Sequence, residues 1–203
     1  MTVRHLIVIG ESDVGANVPD HEMNEVHTRL GSVRNELAAR GIAFVRCRTP
    51  RQLASVIQGY QDLDILDIYY HSSPGVMFLG SADNAHVLFQ TNRDKEPLIG
   101  ARYARTIERS LGPNARVRLL GCQSGHGQLG RLLLLKLAYE LGRQRVVFGS
   151  ICAIDPSHFH AISGVFDCQR ALFSSLAAID AVAPTWYSRE NPPYPYARSE
   201  YLE

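Results

Sequence analysis

The sequence predicts an α/β fold of three layers, αβα, built on a mostly parallel central sheet. Three observations predict it. Short β-rich apolar runs alternate with helix-patterned segments along most of the 203 residues, the pattern of parallel strands joined by crossover helices. Apolar residues in the first helical segment recur at steps of three and four, as on one stripe facing a sheet. Hydrophobic residues make up 45% of the chain, which at this length supports one well-buried core and hardly two.

The first strand is read at Leu6 to Gly10. A helix follows over Asp20 to Arg40, with Met23, Val26, Leu30, Val33 and Leu37 on its sheet-facing stripe and Gly41 as its stop. Ile42 to Cys47 is a second strand, Pro50 to Tyr60 a second helix, and Ile65 to Tyr70 a third strand. A turn-rich stretch comes next, with a hairpin around Val87 to Gln90, then a helix from about Pro97 to Leu111 that Gly112 and Pro113 break. The pattern then repeats, with a strand at Val117 to Gly121, a helix at Gly127 to Leu141 and a strand at Val146 to Ser150. The Gly127 helix carries Leu132, Leu133, Leu134, Leu135 and Leu137 and is apolar almost all round. It is therefore expected to pack deeply, with Arg131, Lys136 and Glu140 as its main solvent-facing candidates. Residues 1–183 read as one domain, and residues 184–203, rich in Pro and Tyr, as an extended tail.

Charge excludes some classes of partner. The formal net charge is +1, from 21 basic and 20 acidic residues spread along the chain, so no block tracks a phosphate backbone or an anionic membrane. Nucleic acid and membrane are not expected partners. The four cysteines, Cys47, Cys122, Cys152 and Cys168, show no CxxC spacing, which argues against a zinc ribbon and a disulfide framework. The apolar run Leu6 to Ile9 is too short for a signal-peptide core, and no stretch approaches the roughly 18 apolar residues of a membrane span. A reducing, cytoplasmic location is the expectation, with secretion through a route lacking a cleavable signal compatible with it.

In an open parallel sheet, catalytic groups gather just beyond the carboxyl ends of the strands. Two such ends carry chemistry. The third strand, DILDIYY, runs into His71 and the turn-forming SSPG, and the fourth, VRLLG, runs into Cys122 and then QSGHG. A thiol becomes a nucleophile when a neighbouring base takes its proton and backbone amides or a helix N-terminus stabilise the negative charge. Cys122 precedes the Gly127 helix, with Gly125 and Gly127 letting backbone come close. Taken singly, Cys122 fits a small buried hydrophobe and His71 a satisfied strand-end histidine. Taken together, with His before Cys and the two 51 positions apart, they fit a dyad at caspase-type spacing.

The stretch YYHSSPGVMFLG resembles the His motif of a bacterial caspase-like family that typically reads HGSPG, then an apolar run and LG. LLGCQSGHGQLG resembles its partner motif, a strand ending in GC before a Gly-rich helix start. The similarity runs from about Asp64 to Ile154 and extends more loosely to CHAT domains and the self-processing peptidase domains of large bacterial toxins, all in the clan of caspases, legumains and gingipains. It implies a caspase-like fold and a cysteine endopeptidase acting on a protein or peptide. His71 would be the base, Cys122 the nucleophile, and backbone amides near Ser72 and Cys122 the oxyanion hole. No metal or organic cofactor is called for. Active members of the clan usually have Gly directly after the His, where this chain has Ser72. A position that needs positive φ penalises any residue other than Gly. The alternative is a catalytically silent caspase-like module that binds or regulates.

Asp155 follows the fifth strand, near where clan members build the P1 pocket, so the resemblance suggests a contact with a basic P1 side chain. Read without the resemblance, it is a loop carboxylate capping a turn before Pro156. His126 is a rival base, on a helix start that turns its ring to solvent. His158, His160 and Cys168 match no strong zinc spacing. The first loop, GESDVG, lacks both the GxGxxG fingerprint and the GK[ST] ending of a phosphate-binding loop.

Overall fold

A computed structural model describes residues 2–11, 21–79, 86–91, 97–142, 145–151, 154 and 172–174. The central sheet has the order β2-β1-β3-β7-β8-β9. Its strands are β1 (His5–Gly10), β2 (Ile42–Cys47), β3 (Leu63–Tyr69), β7 (Leu111–Leu119), β8 (Val146–Ser150) and β9 (Leu172–Ser174). The first five are parallel, and β9 runs antiparallel along β8. A smaller antiparallel sheet, β4 (Ser72–Ser73), β5 (Val76–Leu79) and β6 (His86–Gln90), follows β3 directly. The helices are α1 (His21–Ser32), α2 (Arg34–Ala39), α3 (Pro50–Ile57), α4 (Ala101–Glu108) and α5 (Gly127–Leu141).

The pleat assigns the layers. Phe44 of β2 is in register with Ile7, and Ile7 with Asp67, so these side chains share one face. The His27 ring of α1 lies 5.6 Å from the Phe44 ring, edge to face, and the Arg34 guanidinium of α2 lies 4.7 Å from its centre. Helices α1 and α2 therefore cover that face. Gly149 of β8 points to the other face, where a Cβ would lie 2.9 Å from Leu134 of α5. Helices α3, α4 and α5 pack side by side there. Right-handed crossovers demand this division, because the chain steps one way from β1 to β2 and the other way ever after. The three-layer α/β class expected from the sequence is the class found.

Several details differ from expectation. The helix expected over Asp20 to Arg40 is two helices, broken at Val33, whose φ of −115° and ψ of 21° leave the helical region. Gly31 and Ser32 just before it are weak helix formers, and the Ser32 hydroxyl donates to the Arg29 carbonyl instead of extending the helix. Strand β7 starts at Leu111 rather than Val117, and Gly112 and Pro113 lie within it at a register shift against β3. An irregular strand edge tolerates the proline that a regular central ladder would not. The largest correction concerns Lys136, which is fully buried although its charge suggested solvent. Helix α5 touches α4 on one side, β8 beneath it and β6 on another, so little of its circumference is left for water. The tail 184–203 lies outside the described residues. No helix among the described residues is long and apolar enough to cross a membrane.

A buried polar network crosses the middle of the sheet. Asp67 of β3 is fully buried, accepts from both Nε and Nη2 of Arg118 on β7 at 2.5 Å, and meets Nε2 of His5 on β1 at 2.8 Å. Burial alone pushes the Asp67 carboxyl upward. The Arg118 charge, with the hydrogen bonds and charge from His5 and the bonds from Arg118, more than reverses this and holds it below its ordinary value.

Candidate active site

The site begins with the register of two strands. Each residue along the upper part of β3 pairs with the residue 51 positions later on β7, from Ile65 with Arg116 to Ile68 with Leu119. The Leu120 amide continues the ladder by donating to the Ile68 carbonyl at 2.8 Å. His71 and Cys122 are separated by the same 51 positions, so each follows the last paired residue of its strand, Ile68 or Leu119, by three. The sequence spacing and the sheet register are one number for one reason: both motifs sit the same few residues past a paired ladder.

Closure of the two ends depends on Gly121. A Cβ there would lie 2.3 Å from the Ser72 Oγ and 2.5 Å from the Tyr70 carbonyl oxygen, inside any tolerable contact. With no side chain in the way, the Ser72 hydroxyl donates to the Cys122 carbonyl at 2.7 Å and ties the His segment to the Cys segment. Gly10 serves the same end of the sheet. A Cβ on it would sit 2.0 Å from the Tyr70 ring, so this glycine makes room for Tyr70. The Tyr70 ring in turn supports His71, edge to face at 4.7 Å. His71 itself is exposed.

Beyond Cys122 the chain turns sharply. Gln123 takes a left-handed φ of 57°, unusual for a residue other than Gly, and the His126 amide closes the turn onto the Gln123 carbonyl at 2.9 Å. The turn is stapled to β8 by two serines. The buried Ser124 hydroxyl donates to the Leu119 carbonyl at 2.8 Å and accepts from the Ser150 amide at 2.9 Å. The Ser150 hydroxyl donates to the Gly121 carbonyl, and the Gly125 amide to the Ser150 carbonyl at 2.8 Å. Gly125 and Gly149 permit this, since a Cβ on Gly125 would lie 2.7 Å from the Gly149 oxygen. Close approach was expected of Gly125 and Gly127. Gly125 fulfils it, whereas a Cβ on Gly127 would meet nothing within 4 Å, and that residue is distinguished instead by a φ of 64°. Ser124 and Ser150 escaped the sequence reading. Their signal was present only as small residues at two strand ends, QSG and FGS.

Ser72 takes a conformation that removes one concern. It is extended and pairs with Met77, and among the described residues the only non-glycine positive φ values belong to Asp62 and Gln123. The Phe78 amide donates to the His71 carbonyl at 3.1 Å, which makes His71 and Phe78 the hydrogen-bonded pair of the ladder and Ser72 and Met77 the next, non-bonded one. Antiparallel alternation therefore aims the Ser72 N–H away from β5. A Ser in this place costs no backbone strain.

The two described thiols differ in kind. Cys47 is buried, and burial, followed by the nearby Glu11 charge, pushes its thiol up to about 12. Cys122 is half-buried, with Sγ 3.7 Å from the Ile154 carbonyl oxygen, a weak thiol donor contact. His126 is the exposed N-cap residue of α5 and makes no side-chain capping bond. Asp155, Cys152, Cys168, His158 and His160 lie outside the described residues. Among the described residues no group of three or more His, Cys, Asp or Glu side chains could hold a metal ion.

The fold and the strand-end residues thus define a class, an α/β protein with a His and a Cys just past the carboxyl ends of two neighbouring parallel strands. Comparison adds no family to this: no protein-family model matches the chain, and no curated protein is significantly similar to it.

Proposed function

We propose that this protein is a caspase-like cysteine hydrolase that cleaves peptide bonds, with Cys122 as nucleophile and His71 as base and then acid. The observation that carries the reading is the shared offset of 51 between the β3 and β7 ladder and the two residues. In the reaction His71 takes the Cys122 proton, and the thiolate attacks the scissile carbonyl carbon to give a tetrahedral oxyanion. The Ser72 and Cys122 amides are the groups assigned to that oxyanion. Collapse breaks the C–N bond as His71 protonates the leaving amine, and water then hydrolyses the thioester with His71 again as base. A nucleophilic thiol suits a reducing compartment, so the reading carries a cytoplasmic location with it. Asp155 is retained as the partner of a basic P1 side chain.

One observation favours the alternative of a silent binding module. The Cys122 thiol makes a weak donor contact to the Ile154 carbonyl oxygen, 3.7 Å away. The deciding experiment is brief iodoacetamide treatment near neutral pH with mass-spectrometric mapping. Cys122 should label first, Cys47 should stay unlabelled until the protein unfolds, and His71→Ala should slow Cys122 labelling by about a hundredfold, the lower end of what a positioned base contributes. Equal Cys122 labelling with and without His71 would favour the silent module.

A further inference from the structure

At the same end of the sheet, the first turns of α3 and α4 and the outer side of β6 enclose an open cleft of about 800 Å³. Its floor is apolar, with Val87, Leu98 and Ile99, and Ile99 is 45% exposed. Its rim carries Arg51, Arg102 and Arg105, and its described lining holds no carboxylate. All three arginines are exposed. Arg105 has a loose ionic partner in Glu140 at 3.7 Å. Arg102 lies over the Tyr103 ring and donates to its phenol oxygen at 2.7 Å, a contact that orients the guanidinium without neutralising it. An apolar floor under a cationic rim suits an acidic side chain on a peptide better than a small, fully hydrated anion.

The small sheet connects this cleft to the dyad. Ser72, Met77 and Phe89 are cross-strand partners with Met77 and Phe89 buried, so they face the core. The opposite face carries the row His71, Phe78 and Val87, through the Phe78 to His71 hydrogen bond and the Phe78 to Val87 pairing, which a register shift between Met77 and Phe78 sets apart from the Met77 to Phe89 pair. Val87 lines the cleft. Two strand spacings separate His71 from Val87, about 10 Å, which about three residues of extended peptide span. We infer that the cleft is a subsite for an acidic side chain of the peptide substrate, about three residues from the bond that is cut. The inference rests on the peptidase reading, and it is separate from the P1 contact assigned to Asp155.

The test is binding, measured apart from catalysis. Fluorescein-labelled Ala-rich decapeptides carrying a Glu pair, a Gln pair or a Lys pair are titrated against Cys122→Ala by anisotropy, at low salt and at 0.5 M NaCl. The Glu peptide should bind about tenfold more tightly than the Gln peptide at low salt and lose most of that margin at high salt. Adding Arg51→Glu and Arg102→Glu should abolish the margin and favour the Lys peptide. Both sites are exposed and lie in first helical turns, where an acidic residue does not harm the helix. Equal binding of the three peptides, or a Glu preference that survives the double reversal, overturns the inference. His71-dependent labelling of Cys122 alongside equal peptide binding overturns the subsite alone and leaves the peptidase reading standing. A Glu preference that the reversal removes, alongside an inert Cys122, supports the cationic cleft and overturns only the peptidase reading.

Discussion

At Gly121 a single hydrogen in place of a methyl group lets the end of β7 slide under Ser72. The consequence is sharp because the obstructing atoms include backbone: the Tyr70 carbonyl at 2.5 Å cannot rotate away as a side chain could. Gly121→Ala should therefore cost about 1 to 3 kcal/mol, as overpacking does, and should slow Cys122 alkylation by displacing the Ser72 to Cys122 contact. Ser72→Gly removes that hydrogen bond without a clash and should cost only about 1 kcal/mol. Thermal melts with thiol labelling of both variants check this. A Gly121→Ala protein with native melting and native Cys122 labelling would mean that the strand ends do not converge as described.

Among the elements, β3 and β7 matter most, and the Asp67 and Arg118 pair joins them four residues below His71 and Cys122. Because the folded-state pKa of Asp67 is lowered, its contribution to stability is complete above the unfolded value near 3.8 and is lost as pH falls below it toward the folded value. Asp67→Asn should remove that acid-side loss from the pH profile of unfolding. At neutral pH it should cost about 3 to 5 kcal/mol, since the Arg118 charge would be left without its carboxylate in a largely buried place. Urea melts from pH 7 down to 3 measure both. A mutant whose stability falls with acid as steeply as the wild type would show that other carboxylates govern acid unfolding.

For the molecule as a whole, protection from solvent should follow sheet order. Strands β1, β3 and β7 are bordered by strands on both edges, and their apolar residues are almost wholly buried. Their amides should exchange slowest with deuterated water, by opening close to global unfolding. The small sheet β4-β5-β6, of two to five residues per strand, should exchange faster, through local opening. Hydrogen exchange read by mass spectrometry tests this, and protection of β5 equal to that of β3 would contradict it. On the proposed peptidase reading, a small sheet that opens more readily than the frame beneath it would let the His71 region adjust to a peptide without loss of the central register.

The sequence by itself determined the strand and helix alternation, the limits of β8 and α5, and the two residues delivered at the strand ends. These follow from local periodicity and from residues placed at fixed distances along paired ladders, and such information is written linearly. Three features were decided only by tertiary structure. Lys136 is buried because α4, β6 and β8 surround a helix whose sequence pattern cannot count its neighbours. Ser72 is unstrained because a hairpin partner holds it extended, whereas motif comparison suggested only that a glycine was missing. Ser124 and Ser150 lock the Cys122 turn because β7 and β8 lie side by side, and a hydroxyl 26 residues away gives no sign in the chain that it will be the partner. In each case the deciding quantity is a contact between segments distant in sequence, which exists only after the sheet has assembled.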